Sequence, residues 1–187
     1  MNFIRNILLV IGVSFYLTAC FGPPAKTEYY KEVVGPNVSG CLNRYHVVIN
    51  EQKCTDYRIG DLVVELMPRG SKKYYQDPEK SPYKLPALVC TMQRGANFDF
   101  IKNFRIEEVI VTTNTDKVFT GFKWGFINYN DDCKYVSLTP RVDITVQEET
   151  EIKVKMLVTV LSPEVITKEM NFVFKGKSHW YLPFYGP

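Results

Sequence analysis

Residues 141–160 alternate apolar and polar side chains with a period of two, and this pattern constrains the fold more than any other feature. The alternation holds on both sides of Glu149, where polar residues interrupt it. Successive side chains of a β-strand point to opposite faces, so such alternation is typical of strands with one buried face. We therefore predict a β-hairpin with its turn at Glu149, in which Val146 faces Ile152 across the strand pair.

Shorter segments with the same period recur from Cys41 onward, and no long stretch has the 3.6-residue period of a helix. Tyr, Phe, Val, Ile and Thr dominate the middle of the chain, and these residues favour strands. The polar stretch from Pro68 to Pro86 is rich in proline and indicates a long surface loop. Eight or nine short strands with one-sided patterning predict an all-β single domain, either an antiparallel β-sandwich or a partly open barrel.

The first residues follow the order of an export signal. Arg5 supplies a positive charge, and residues 7–17 form an apolar run that only Ser14 interrupts. A transmembrane helix needs about 20 apolar residues, so this run suits the core of a signal peptide instead. It ends at Leu17-Thr18-Ala19-Cys20, and this ending resembles the lipobox of bacterial lipoproteins. The resemblance covers about the first 20 residues and implies cleavage before Cys20 and its acylation by fatty acids such as palmitate.

The resemblance also implies a division of the chain and a location. Residues 1–19 are the expected signal peptide, residues 20–40 the lipidated Cys20 with a tether, and residues 41–187 the β domain. Gly and Pro favour the tether, although Tyr29–Val34 could pair as an edge strand. Phe21 stands where inner-membrane lipoproteins of enteric bacteria have Asp, which implies an outer-membrane anchor facing the periplasm. An ordinary secretory signal and an uncleaved anchor are the alternatives.

Four cysteines remain once Cys20 is assigned to the lipid, and in an exported chain they predict two disulfides. A metal site is disfavoured, because no two cysteines have C-x-x-C spacing and His46 and His179 are far apart in sequence. We disfavour local pairing across Arg44–Asn50 without excluding it, because that segment is a predicted strand about 20 Å long. The four cysteines, which allow three connectivities, are Cys41, Cys54, Cys90 and Cys133.

Residues that could carry catalysis or bind a metal are few. His46 lies on the polar face of a predicted strand with no Ser or Cys nucleophile nearby, so a surface role is favoured. A cluster of oxygen side chains could hold Ca²⁺, but it lacks the Gly and the distant Glu of an EF-hand, which favours an ordinary turn. The sequence has no phosphate-binding Gly loop, no HExxH and no GxSxG motif. We therefore predict no cofactor, no metal and no enzymatic activity. The residues of the oxygen cluster described above are Asn128, Asn130, Asp131 and Asp132.

Charge and the C-terminal aromatics indicate the kind of partner. The formal net charge is +3, and loss of Arg5 with the signal leaves +2 (3 − 1), which is too small an excess of positive charge to indicate nucleic-acid binding.

Aromatic residues crowd the carboxyl end of the chain. They could pack to close the sandwich, with His179 among them, or dock an envelope protein, because Trp and Tyr dominate binding hot spots. These candidate contact residues are Trp180, Tyr181, Phe184 and Tyr185.

Three functions follow from these observations. The favoured one is a non-catalytic structural or accessory component of a cell-envelope assembly, held to the membrane by the lipid on Cys20. The alternative is a ligand- or protein-binding module of the inhibitor or adhesion type. A hydrolase with a site assembled from distant residues is the least favoured.

Overall fold

The computed structural model describes residues 25–43, 47–72, 79–92, 95, 97–128 and 132–181. Cys20, His46, Phe184 and Tyr185 therefore lie outside the described residues. Within the described ranges the chain forms twelve strands, two one-turn α-helices and one 3₁₀ helix. In chain order these are β1 (Ala25–Val34), α1 (Pro36–Ser39), the 3₁₀ helix (Glu51–Cys54), β2 (Arg58–Ile59), β3 (Leu62–Leu66), β4 (Arg69–Ser71), β5 (Lys80–Lys84), β6 (Ala87–Thr91), α2 (Phe100–Asn103), β7 (Phe104–Thr113), β8 (Val118–Phe119), β9 (Lys123–Asn128), β10 (Cys133–Thr139), β11 (Glu151–Val160) and β12 (Ile166–Tyr181).

Ten of these strands form two antiparallel sheets of five. The first sheet has the order β1-β12-β11-β7-β8, and the second has the order β2-β3-β6-β10-β9. β4 and β5 pair with each other as a separate ribbon within the predicted Pro68–Pro86 loop. The prediction of an all-β, single-domain antiparallel sandwich is confirmed. Among the described residues, no helix has the length and apolar character needed to span a membrane.

The inner faces of the two sheets share one apolar core. Phe104 of β7 in the first sheet contacts Trp124 and Phe126 of β9 in the second, with ring centroids 6.2 and 5.9 Å apart. Phe172 of β12 packs on Tyr57, just before β2, at 5.7 Å. Interdigitation of side chains from both inner faces is the usual core of a β-sandwich.

The predicted hairpin around Glu149 is wrong. β11 lies in the middle of the first sheet, where Ile152 is opposite Thr113 of β7 on one side and Phe174 of β12 on the other. Both edges of β11 are therefore occupied by strands other than residues 141–147. The alternation in residues 141–147 nonetheless marks a buried face, because its apolar residues are at most 9% exposed; these are Val142, Ile144 and Val146.

The physical reason is a turn that residues 145–149 form by themselves. The Glu149 N–H donates to the Thr145 carbonyl at 2.9 Å, and the Thr145 N–H donates to the Glu149 carboxylate at 2.7 Å. A carboxylate that accepts a nearby backbone N–H competes with strand pairing for that donor. The segment therefore bends at Glu149 before β11 begins, and only Val142 makes a β-bridge, to Tyr83.

Two disulfides join the four predicted cysteines. Cys90 and Cys133 are directly opposite each other on β6 and β10. The second bond is the disfavoured Cys41–Cys54 pairing, with the two Cα atoms 4.7 Å apart. Residues 41–43 and 47–49 run antiparallel, because Leu42 bridges Val48, so the chain doubles back instead of extending. The 3₁₀ helix that follows then carries Cys54 to Cys41.

The first described residues of the chain form β1, which is an edge strand of the first sheet. β1 covers residues 25–34. The sequence assigned these residues to the tether, with an edge strand over Tyr29–Val34 as the alternative. Ala25 is opposite Tyr181, and the pairing with β12 continues to Val34 through one irregularity. The side chain of Tyr30 on β1 is buried in the core. Residues 25–34 therefore belong to the β domain.

Candidate functional site

A cleft of about 580 Å³ lies beside β1, and we call it the β1 cleft. Small-molecule sites commonly have volumes of roughly 300–1,000 Å³. Its walls combine aromatic and charged side chains that come from β1, β3, β4, β12 and the residue before β5. Among these side chains are Tyr29, Tyr30, Glu65, Arg69, Glu79 and His179.

Tyr30 forms the buried end of the cleft and acts as a structural anchor. Its hydroxyl donates to the carbonyl of Glu149 at 2.6 Å and lies 3.1 Å from that of Thr145. Its ring packs edge-on against Tyr83, with centroids 5.0 Å apart. Burial, together with Tyr83 and Glu149 nearby, raises the pKa of Tyr30 far above its ordinary value. The phenol therefore stays neutral and holds the turn at residues 145–149 against β1.

Glu65 and Asn37 form the polar end of the cleft, and Asn37 also contacts the carboxylate of Glu32. Glu65 is only 2% exposed, and the Asn37 side-chain amide donates to its carboxylate. The Asn37 backbone N–H donates to Glu32 at 3.0 Å. Burial, and then the neighbouring Glu65, raise the pKa of Glu32 to about 7. Near neutral pH the Glu32 carboxyl can therefore hold a proton.

His179 and Tyr29 line the outer side of the cleft. Their rings meet edge-on with centroids 5.8 Å apart, and they lie on the adjacent strands β12 and β1. The next residue, Trp180, is 68% exposed, while Tyr181 ends β12 opposite Ala25. The structure thus exposes Trp180, one of the predicted C-terminal aromatics.

Of the oxygen cluster that the sequence singled out, the described side chains include that of Asp132. Asn130 and Asp131 lie outside the described residues, and the Asp132 carboxylate accepts the Gly95 N–H at 2.7 Å. The cysteines after Cys20 are all in disulfides. In the parts of the chain that the structure describes, no three His, Cys, Asp or Glu side chains cluster as a metal site requires.

Sequence reasoning missed the pair formed by Glu32 and Glu65. Glu65 did carry a signal, because it is the one charged residue inside the apolar run Leu62–Met67. An acid in the middle of a buried strand needs a polar partner, and here Asn37 supplies it. No comparable signal marks Glu32, which reaches Asn37 only because the chain bends after β1.

No protein-family model matches the chain, and no match was found among curated proteins or among solved structures. The fold and the geometry of the site therefore carry the functional argument.

Proposed function

We propose that the chain is a lipid-anchored, non-catalytic accessory component of a bacterial cell-envelope assembly. The observation that supports this proposal is the short distance in sequence between Cys20 and the sheet. β1 begins at Ala25, five residues after Cys20, and five residues reach at most roughly 18 Å when fully extended. A lipid on Cys20 would hold the start of β1 close to the bilayer surface.

The same end of the sheet carries an exposed aromatic residue. Trp180 is opposite Lys26 on β1 and is 68% exposed. Trp is enriched at binding hot spots because it buries a large rigid surface. The lipid anchor and the exposed Trp180 would then lie at the same end of the sheet. We propose that this end docks an envelope protein near the membrane. The proposed location is the outer membrane, with the protein facing the periplasm.

The anchor is tested by replacing Cys20 with Ser. We expect the wild-type chain to incorporate a fatty-acid probe and to fractionate with membranes, because two or more acyl chains bind a bilayer stably. The Cys20→Ser chain should lose the label and stay unprocessed or soluble. Equal labelling of the two chains would overturn the anchor.

Docking is tested by replacing Trp180 with Ala and comparing cross-linked pull-downs from intact envelopes. Val118→Ala is the matched control, because Val118 is also strongly exposed but lies on β8, at the opposite edge of the first sheet. We expect Trp180→Ala to lose a cross-linked partner that Val118→Ala keeps. Identical partner sets for the two variants would contradict the docking role.

The β1 cleft supports a second candidate function, a ligand-binding module. Its volume of about 580 Å³ and its mixture of aromatic and charged walls suit a small polar ligand. A thermal-shift screen of envelope sugars and metabolites should find a stabilising compound whose effect Tyr29→Ala removes. A screen without such a compound would leave the accessory role as the better proposal.

A further inference from the structure

A second groove, of about 370 Å³, lies on the outer face of the second sheet. Tyr135 and Ser137 of β10 form its floor and alternate with the buried Val136 and Leu138, which point into the core. Ile127 of β9, which is 57% exposed, extends the floor. The groove therefore has an aromatic ring, an aliphatic side chain and a hydroxyl along its floor.

Three basic side chains stand in a row along one side of this groove. Arg69 of β4 is directly opposite Lys84 of β5. Tyr83 and Val142 form a β-bridge with two hydrogen bonds, at 2.8 and 2.9 Å. The next pair along this bridge is Lys84 and Arg141, so the three cations lie on three neighbouring segments and on the same face.

Among the described residues this row forms no ion pair, and Asp143, two residues from Arg141 on the same face, accepts a hydrogen bond from Ser81. Arg69 contacts the Met67 sulfur at 3.8 Å, and neither Lys84 nor Arg141 takes part in an ion pair within the described ranges. Like charges directly opposite each other on adjacent strands destabilise a sheet. An anion bound from outside would offset the repulsion between these like charges.

We propose that this groove binds a phosphate ester carried on a sugar, with the phosphate at Arg69, Lys84 and Arg141 and the sugar ring over Tyr135. A phosphate monoester carries nearly two negative charges and three acceptor oxygens at neutral pH, whereas a carboxylate brings a single charge. The planar guanidinium groups of the two arginines match phosphate oxygens in pairs. The ring of Tyr135 and the side chain of Ile127 supply the apolar surface on which a sugar ring can lie.

The groove is on a different sheet from the end that carries Trp180, so this inference stands independently of the lipid anchor. Its ligand chemistry could come from a free sugar phosphate or from the phosphorylated sugar headgroup of an envelope glycolipid. Both present the same phosphate and ring to the groove. Vesicles with a phosphorylated glycolipid, compared with vesicles of its dephosphorylated form, distinguish the second source from the first.

The test is calorimetric titration of the full chain in detergent micelles with glucose 1-phosphate, inorganic phosphate and glucose. We expect glucose 1-phosphate to bind and glucose not to bind. Lys84→Gln and Arg141→Gln should each weaken binding about tenfold, the effect of losing one charge-assisted hydrogen bond. Lys31→Gln is the matched control, since Lys31 is an exposed lysine on the first sheet, and it should bind like the wild type.

Two further measurements separate binding from folding. Lys84→Gln and Arg141→Gln should unfold in urea at concentrations no lower than the wild type, because each removes a like-charge repulsion. Tyr135→Ala should weaken glucose 1-phosphate while leaving inorganic phosphate unchanged. The proposal is overturned if glucose 1-phosphate fails to bind at millimolar concentration, if the two charge variants bind it as the wild type does, or if a Glu-rich peptide binds the groove and glucose 1-phosphate does not displace it.

Discussion

The carboxylate of Glu149 is fully buried and lies 2.5 Å from the Nζ of Lys117. Lys117 precedes β8, so the ion pair ties the β7–β8 turn to the turn at residues 145–149. Burial alone would raise the pKa of Glu149, but the hydrogen bond from Lys117 and the Thr145 N–H outweigh it and lower that pKa below its ordinary value. The same contact raises the pKa of Lys117.

Replacing Glu149 with Ala should destabilise the fold by about 2 kcal/mol, because it removes the buried carboxylate that pairs with the half-exposed Lys117 and leaves the Thr145 N–H without its acceptor. Urea unfolding measures the change. Glu148→Ala is the matched control: the Glu148 side chain is 71% exposed and 3.9 Å from Lys117, so its loss should change the free energy of unfolding by less than about 0.5 kcal/mol. Equal losses for the two variants would contradict the role given to Glu149.

The same carboxylate should make the fold sensitive to acid. Because the pKa of Glu149 is lower in the folded state than its ordinary value of 4.5, the unfolded chain binds more protons as the pH falls. The stabilisation by Glu149 is therefore complete above about pH 5 and is lost as the pH falls through the folded pKa. Glu149→Gln should flatten this acid limb in a series of urea titrations between pH 6 and pH 2, and an unchanged slope would refute the assignment.

Glu32 should have the opposite dependence on pH. Its pKa is raised from 4.5 to about 7, so between these values the folded chain holds a proton that the unfolded chain has released, and stability falls as the pH rises. Glu32→Gln should remove this fall and gain roughly 1–2 kcal/mol at pH 8, after allowance for the partial exposure of Glu32. Glu107→Gln, at an exposed acid on β7, should keep the wild-type slope; a Glu32 variant with that slope too would contradict the prediction.

The outcomes for Val146 and Cys41 show which features the sequence could predict. Burial of Val146 followed from its period-two pattern, because which face of a segment is apolar is a local property. The strand that pairs with β11 did not follow from the pattern. Residues 141–147 and β7 were both candidates for that position, and the turn that Glu149 makes with Thr145 excludes residues 141–147 from it. The sequence disfavoured the Cys41–Cys54 disulfide, because residues 44–50 were expected to form an extended strand. In the structure Leu42 and Val48 form a β-bridge, which brings the two ends of this segment together. The groove with Arg69 and Lys84 was missed because its segment was predicted to be a loop.

The two disulfides should contribute unequally to stability. The Cys41–Cys54 bond closes 13 residues and the Cys90–Cys133 bond closes 43. Loop-closure entropy then assigns about 3 kcal/mol to the first and about 4 kcal/mol to the second. The double variants Cys41→Ala/Cys54→Ala and Cys90→Ala/Cys133→Ala should follow this order in urea unfolding. A larger loss from the shorter loop would contradict the entropic account, and free thiols in the unreduced, unfolded wild type would contradict the bonds themselves.

A side chain at Gly176 of β12 should destabilise the fold, because the turn before β11 packs directly on this glycine. A Cβ at Gly176 would lie 2.7 Å from the Val146 side chain and 3.2 Å from its carbonyl oxygen, while the Gly176 N–H donates to Thr150 at 2.8 Å. Gly176→Ala should therefore cost about 1–3 kcal/mol by overpacking. Gly125→Ala is the matched control, since Gly125 also lies in a strand but a Cβ there meets nothing within 4 Å. It should be neutral or stabilise the fold by up to about 1 kcal/mol. Urea unfolding of the two variants decides the matter, and a Gly176→Ala protein as stable as Gly125→Ala would show that the turn is free to move off β12.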